Sequence, residues 1–206
     1  MNRKWRRTLA NKRGQGGKKN MGSQLKRGEC VISNRQLDKL FNEIHDIRDL
    51  TIIKVLYFGA MRVSEVSKFR IEHINFDEQV ITIYESKKGK TRTITPPPEL
   101  FSAIKLYIQK RTSGYVFPSV KGEALTTRTI QYIVSKWGER LQIKTDHPTL
   151  KHLNAHSFRH LRARHLKDEG KPMEYIQKYL GHSSYSTTAD TYGTLSISDM
   201  KKIARE

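Results

Sequence analysis

The chain has 206 residues, enough for one well-filled core and at most a domain and a half. Lysine and arginine outnumber aspartate and glutamate by 39 to 20, a formal net charge of +19, so the first partner to consider is a polyanion, nucleic acid above all. No apolar run approaches the roughly 20 residues of a membrane span, no signal peptide pattern opens the chain, and the lone Cys30 has no internal disulfide partner, which together fit a cytoplasmic, reducing setting.

Residues 1–30 are expected to form a flexible basic arm: Arg3, Lys4, Arg6, Arg7, Lys12, Arg13, Lys18, Lys19, Lys26 and Arg27 repel one another, and no apolar period runs through them. Such an arm suits a phosphate backbone, to which it adds affinity without reading sequence. Ordered structure is expected from Ile32. Ser33 with Gln36 forms a capping-box pattern, Ile32 and Leu37 are placed as its hydrophobic staple, and Leu37, Leu40, Phe41 and Ile44 make one helical stripe. A second helix, Asp49 to Tyr57, is apolar on most sides and should be central.

Gly59 is expected to break that helix, and Val63, Val66 and Phe69 give the next one its buried face. Arg62 and Glu65 stand three apart, close enough to pair; by spacing alone this is a surface pair worth a few tenths of a kcal/mol. Val80 to Tyr84 and Thr91 to Thr95 alternate and are rich in β-branched residues, so they read as a hairpin with the basic tip Lys87-Lys88-Gly89-Lys90, where either Lys87 or Lys90 is placed to deliver a proton. Pro98 is a good first residue for a helix from Glu99 to Lys110. Thr126 caps a strongly amphipathic helix with Ile130, Ile133, Val134, Trp137 and Leu141 inward and Arg128, Gln131 and Lys136 outward. Residues 142–153 read as a loop.

Asn154 to Tyr192 concentrates the reactive side chains. His156 and Arg159 share a helical face, Gly170 and Pro172 punctuate, a short helix presents Met173, Ile176, Tyr179 and Leu180 on its apolar side, and Gly181 ends it before His182. A third helix, capped by Ser183 or Ser184, is expected to carry Tyr192. Attack on a phosphodiester suits this set, because the transition state gathers negative charge that an arginine fork and further donors meet, and tyrosine serves as a covalent nucleophile. His152, His156 and His160 fall at helical spacing, yet zinc needs three or four converging ligands and Asn154 as a cap takes His152 off the helix, so no metal is expected.

In this order and spacing, Gly59-Ala60-Met61-Arg62-Val63-Ser64-Glu65, Ser86 to Lys90, His156-Ser157-Phe158-Arg159-His160, Leu180 to Ser184 and Thr188 to Tyr192 closely match motifs of a known enzyme group. The chain resembles the tyrosine recombinases, or phage-type integrases, and in particular the catalytic domain of Xer-like members. The resemblance covers residues 33–200 and implies a mainly α fold with a small antiparallel β-sheet that includes the hairpin. It implies that Arg62 and Arg159 hold the scissile phosphate, that His156 and His182 are further donors and proton handlers, and that Lys87 protonates the departing 5′ oxygen. Tyr192 would be the nucleophile and Glu65 the acidic helper. Lys88, Lys90, Arg92, Arg128 and Lys136 are read as further contacts to double-stranded DNA.

The implied reaction is site-specific recombination through a 3′-phosphotyrosine intermediate, without ATP, magnesium or other cofactor, by a chain that is monomeric when free and a homotetramer on two DNA sites. Residues 31–206 would be the catalytic domain, with the usual N-terminal clamping domain not present. Tyr192 follows His182 by ten residues, as in phage integrases; the nine common in Xer-type members would fall on Thr191, which cannot serve. Leu195, Ile197, Met200 and Ile203 form an apolar tail suited to docking on a neighbouring subunit or on its own core. Two other readings are type IB topoisomerase-like relaxation and a catalytically silent DNA-binding regulator.

Overall fold

The computed structural model describes residues 32–84, 91–143 and 153–181. The basic arm, the hairpin tip with Lys87, Lys88 and Lys90, His152, His182, Tyr192 and the apolar tail lie outside the described residues.

Seven α-helices, a short 3₁₀ helix (Ile71–His73) and a three-stranded antiparallel sheet make up the described part, the α-helices and strands in the order α1 (Asn34–Glu43), α2 (Ile47–Phe58), α3 (Val63–Ser67), β1 (Ile74–Asn75), β2 (Val80–Tyr84), β3 (Thr91–Ile94), α4 (Pro98–Ile108), α5 (Thr127–Arg140), α6 (Ala155–Asp168) and α7 (Met173–Leu180). The mainly α reading with a small antiparallel sheet is therefore correct. None of these helices is long and apolar enough to cross a membrane.

The end signals read from the sequence act as expected. Ser33 and Gln36 close a reciprocal capping box on α1, with Ile32 and Leu37 both buried beside it. Pro98 opens α4, the Thr126 side chain accepts from the Thr129 N–H at the start of α5, and Asn154 accepts from the N–H groups of His156 and Ser157 at the start of α6. Gly181 closes α7 in the left-handed conformation, at φ 67°.

The central position expected for α2 is also observed: Ile52, Ile53, Val55 and Leu56 have no solvent exposure, and the helix packs against α1, α3, α4, α5 and α6. Its first turn holds a buried carboxylate. Asp49 accepts from Lys136 Nζ at 2.6 Å and Trp137 Nε1 at 2.9 Å, both on α5, and from Arg48 Nη2 at 3.0 Å. Burial pushes its pKa up, but the bonds from Lys136, Trp137 and Arg48 outweigh that and hold it below the ordinary value.

Gly59 ends α2 with an ordinary φ of −77°; the left-handed residue is the next one, Ala60, at φ 46°. The chain thus turns on a residue that pays for the turn, and Ala60 is fully buried. In the sheet, Ile81 faces Ile94 and Ile83 faces Arg92, so the buried face of the hairpin carries three isoleucines and one arginine. β3 lies against α7, and α3 lies against α5.

Candidate active site

Glu65 is the centre of the site. It is the third residue of α3 and accepts the Arg62 backbone N–H at 2.7 Å, which satisfies one of the orphan donors at the start of that helix. Its carboxylate also takes Arg62 Nη1 at 2.8 Å. From the other side Arg92 on β3 closes a bidentate pair, Nη1 to Oε1 and Nη2 to Oε2, each at 2.8 Å. The surface pair expected from spacing alone is therefore corrected: Glu65 is 6% exposed and shared by two arginines. Burial alone would raise its pKa; the hydrogen bonds and charge of Arg92, the Arg62 N–H and the charge of Arg159 prevail and hold it below the usual carboxylate range.

Arg159 enters from α6. It is 2% exposed, with Nη1 donating to the Ala60 carbonyl at 2.6 Å and Nη2 to the Leu180 carbonyl. Arg92 Nε donates to the Tyr179 carbonyl at 3.0 Å, and Arg62 Nη2 reaches the Gly181 carbonyl at 3.4 Å. Three consecutive carbonyls at the C-terminal end of α7 thus each receive a different arginine. Such carbonyls lack helical partners and lie at the negative end of the helix dipole, so guanidinium groups suit them twice over. Arg62 and Arg159, 97 positions apart by their numbers, are brought to neighbouring residues by this cap.

Among the described residues, three guanidinium groups surround the Glu65 carboxylate, in a place where water screens charge poorly. The Arg62 side chain is 39% exposed and gives the cluster its opening to solvent. His156, three residues before Arg159, is exposed, and its ring meets that of buried His160 edge-on at 4.3 Å. Among the described residues no group of three potential metal ligands is found. A cavity of about 380 Å³ opens beside Glu65 and is lined by Lys68, Phe69, His73, Ile83 and Tyr84. The arrangement suits a tetrahedral or pentacoordinate phosphorus centre, because fixed cations meet its charge without reorganising.

The expected site residues thus divide. Arg62, Glu65 and Arg159 come together, with His156 on the same helix as Arg159. Arg128 is exposed on α5 as expected. Arg92 does not point outward from the hairpin: at 9% exposure, with Nε and both terminal nitrogens engaged inside the protein, it braces Glu65. Lys136 keeps 37% of its side chain exposed, while its ammonium pairs with the buried Asp49 at 2.6 Å. The signal for Arg92 was present in the alternation of β3, which puts residue 92 on the same face as Ile94. Nothing comparable marks Asp49, two of whose three side-chain partners come from α5 far along the chain.

The phage integrase family profile matches residues 31–197. The tyrosine recombinase XerA of Pyrococcus furiosus is 35% identical over 164 residues, covering 76% of this chain and 54% of that protein. The tyrosine recombinase XerC of Leptospira interrogans is 29% identical over 170 residues, covering 80% of this chain and 52% of its own length. The chain thus spans about half the length of the curated relatives it matches. Among solved structures, a XerA recombinase superposes with a TM-score of 0.71 at 23% identity over 85% of this chain and 64% of that one. The Tn1549 transposon integrase, solved with a circular intermediate DNA, gives 0.70 at 16% identity over 86% and 66%.

Proposed function

The chain belongs to the phage integrase family, and from that premise we propose that it is a site-specific tyrosine recombinase acting on double-stranded DNA. The observation that carries this reading is the cap on α7, where Arg62 and Arg159 meet at neighbouring carbonyls, with Glu65 fixing the first of them. Two arginines so placed can grip the non-bridging oxygens of one phosphate.

In this reading the Tyr192 oxygen attacks the scissile phosphorus and forms a phosphotyrosine bond to the 3′ end. The 5′ oxygen leaves with a proton from Lys87, and the reverse step with another 5′ hydroxyl reseals a strand. His156 and His182 supply further donors and handle the nucleophile's proton. The covalent link keeps the phosphodiester's free energy, so rejoining requires no nucleotide hydrolysis and the chemistry calls for no cofactor. Residues 31–206 act as the catalytic domain. Residues 1–30, Lys88, Lys90 and Arg128 add backbone contacts, whose contribution weakens with salt. The active assembly is a homotetramer on two DNA sites formed from free monomers, inside the cell where its substrate lies. Tn1549 integrase, a structural neighbour, was solved with DNA, which supports the choice of partner.

The test is covalent trapping on a randomised pool of nicked duplexes, with wild type and Tyr192→Phe, with and without a chelator. A phosphotyrosyl adduct that requires Tyr192 and survives chelation is expected. DNA binding without any adduct would instead indicate a silent binding module.

A further inference from the structure

We propose that Arg92 is a positioning residue for strand cleavage, acting through Glu65 on Arg62 and through the Tyr179 carbonyl on the end of α7. The inference rests on the recombinase reading above and adds a residue to it.

The geometry leaves little room for another role. Nε of Arg92 donates to the Tyr179 carbonyl, and its two terminal nitrogens take both oxygens of Glu65. At 9% exposure each of its three nitrogens thus donates inside the protein, to Glu65 and to the end of α7. Packing does not explain it either. The other buried residues of this hairpin face are Ile81, Ile83 and Ile94, and a fourth apolar side chain would fill the place without the desolvation cost of a charge.

What the ion pair supplies is direction. A fork-to-carboxylate pair fixes the plane of the Glu65 carboxylate, and that carboxylate holds Arg62 at two points, the backbone N–H and Nη1. The same guanidinium holds the carbonyl immediately before the one that Arg159 takes. β3 therefore serves as the fixed wall against which both phosphate-holding arginines are registered. Misplacement by about 1 Å at such a site costs on the order of 100-fold in rate.

The experiment uses the full chain and nicked duplexes selected by the wild type from a randomised pool. Dissociation constants, their salt dependence, thermal midpoints and single-turnover adduct formation at saturating DNA are measured for Arg92→Gln, Arg92→Lys, Glu65→Gln and the Arg92→Gln/Glu65→Gln double variant. Arg92→Gln is expected to slow adduct formation by about 10- to 100-fold with DNA affinity nearly unchanged. In the Glu65→Gln background the same change should cost clearly less, because one of the two routes through which Arg92 acts is already lost. Arg92→Lys keeps a charge beside Glu65 but not the fork, and should fall between; it carries the test if Arg92→Gln does not fold.

Equal rate losses in both backgrounds would overturn the inference. So would weaker binding with a salt slope reduced by about one, the mark of a lost phosphate contact. Failure of the wild type to form an adduct on any duplex removes the recombinase reading, and this inference with it. A wild-type adduct that forms equally fast with Arg92→Gln removes this inference alone.

Discussion

Arg159 reaches back 99 residues to donate to the Ala60 carbonyl at 2.6 Å, and it does so because Ala60 is left-handed. A helical residue there would aim its carbonyl along α2; the turn aims it at α6. Lysine in place of Arg159 cannot serve both Ala60 and Leu180, so one buried carbonyl loses its donor. Arg159→Lys should lower stability by about 1–3 kcal/mol in urea titrations and abolish adduct formation. An unchanged urea midpoint would show that the carbonyl contacts contribute nothing to the fold.

Gly138 sits where α5 meets the residue just before the α6 cap: an added Cβ would lie 2.7 Å from Leu153 Cβ. Alanine gains up to about 1 kcal/mol of helix propensity, but overpacking against a near-backbone atom costs about 1–3 kcal/mol. The crowding should win, so Gly138→Ala is expected to lower the melting temperature, and a rise would contradict the close approach.

Tyr179 donates its hydroxyl to the Phe58 carbonyl at 2.5 Å, joining α7 to the end of α2, and burial pushes its pKa well up. Tyr179→Phe keeps the ring and removes the donor, which should cost about 1–2 kcal/mol of stability. DNA affinity should stay the same; a changed affinity would mean that the bond shapes the binding face.

The Tyr57 hydroxyl and His165 Nδ1 share a 2.7 Å hydrogen bond, and burial lowers the His165 pKa although Asp168 and Glu169 oppose it; the nearby Arg162 and Arg164 charges reinforce the lowering. The folded state therefore resists a proton that the unfolded chain accepts at about pH 6.5. Stability is full above that value and falls as the pH drops from about 6.5 towards the lower folded pKa. His73, also lowered by burial, acts in the same direction. His165→Gln should reduce the loss of stability between pH 7 and 5.5 without removing it, as read from urea midpoints; an unaltered pH profile would exclude His165 as a source.

Arg128 is exposed on α5, while Lys136 on the same helix is tied to Asp49. Arg128→Ala should weaken DNA binding and reduce the slope of log affinity against log salt by about one. Lys136→Ala should instead lower stability, with the slope unchanged. The opposite pattern would reverse these assignments.

Local signals carried most of the fold in readable form. Ser33, Pro98, Thr126, Asn154 and Gly181 each mark an element end by a mechanism confined to a few residues, and the apolar stripes of α1, α5 and α7 follow helical period. The site was legible in Arg62, Glu65, His156 and Arg159 because their motifs are local as well. What escaped depended on distant chain. Arg62 with Glu65 looked like a surface pair because β3, which buries it, lies 27 residues on from Glu65. The pairing of Lys136 with Asp49 was hidden because the two lie 87 residues apart. Gly59 ends α2 as propensity has it, but nothing local marks the next residue, Ala60, as the one that takes the left-handed turn. His156 and Arg159 are neighbours by spacing, yet one is exposed and the other buried.

The triple arginine cap on α7 also orders events in time. Its bonds close loops of 87, 21 and 119 residues, and the Ala60 bond one of 99. Loop closure must be met before such contacts repay it, so the arginine cap is expected to form late, after the α2-centred core has gathered. A chain still emerging from the ribosome holds Arg62, Glu65 and Arg92 long before residues 179–181 exist to complete the cap. The cap is therefore withheld from the nascent protein until nearly all of the described fold has been made.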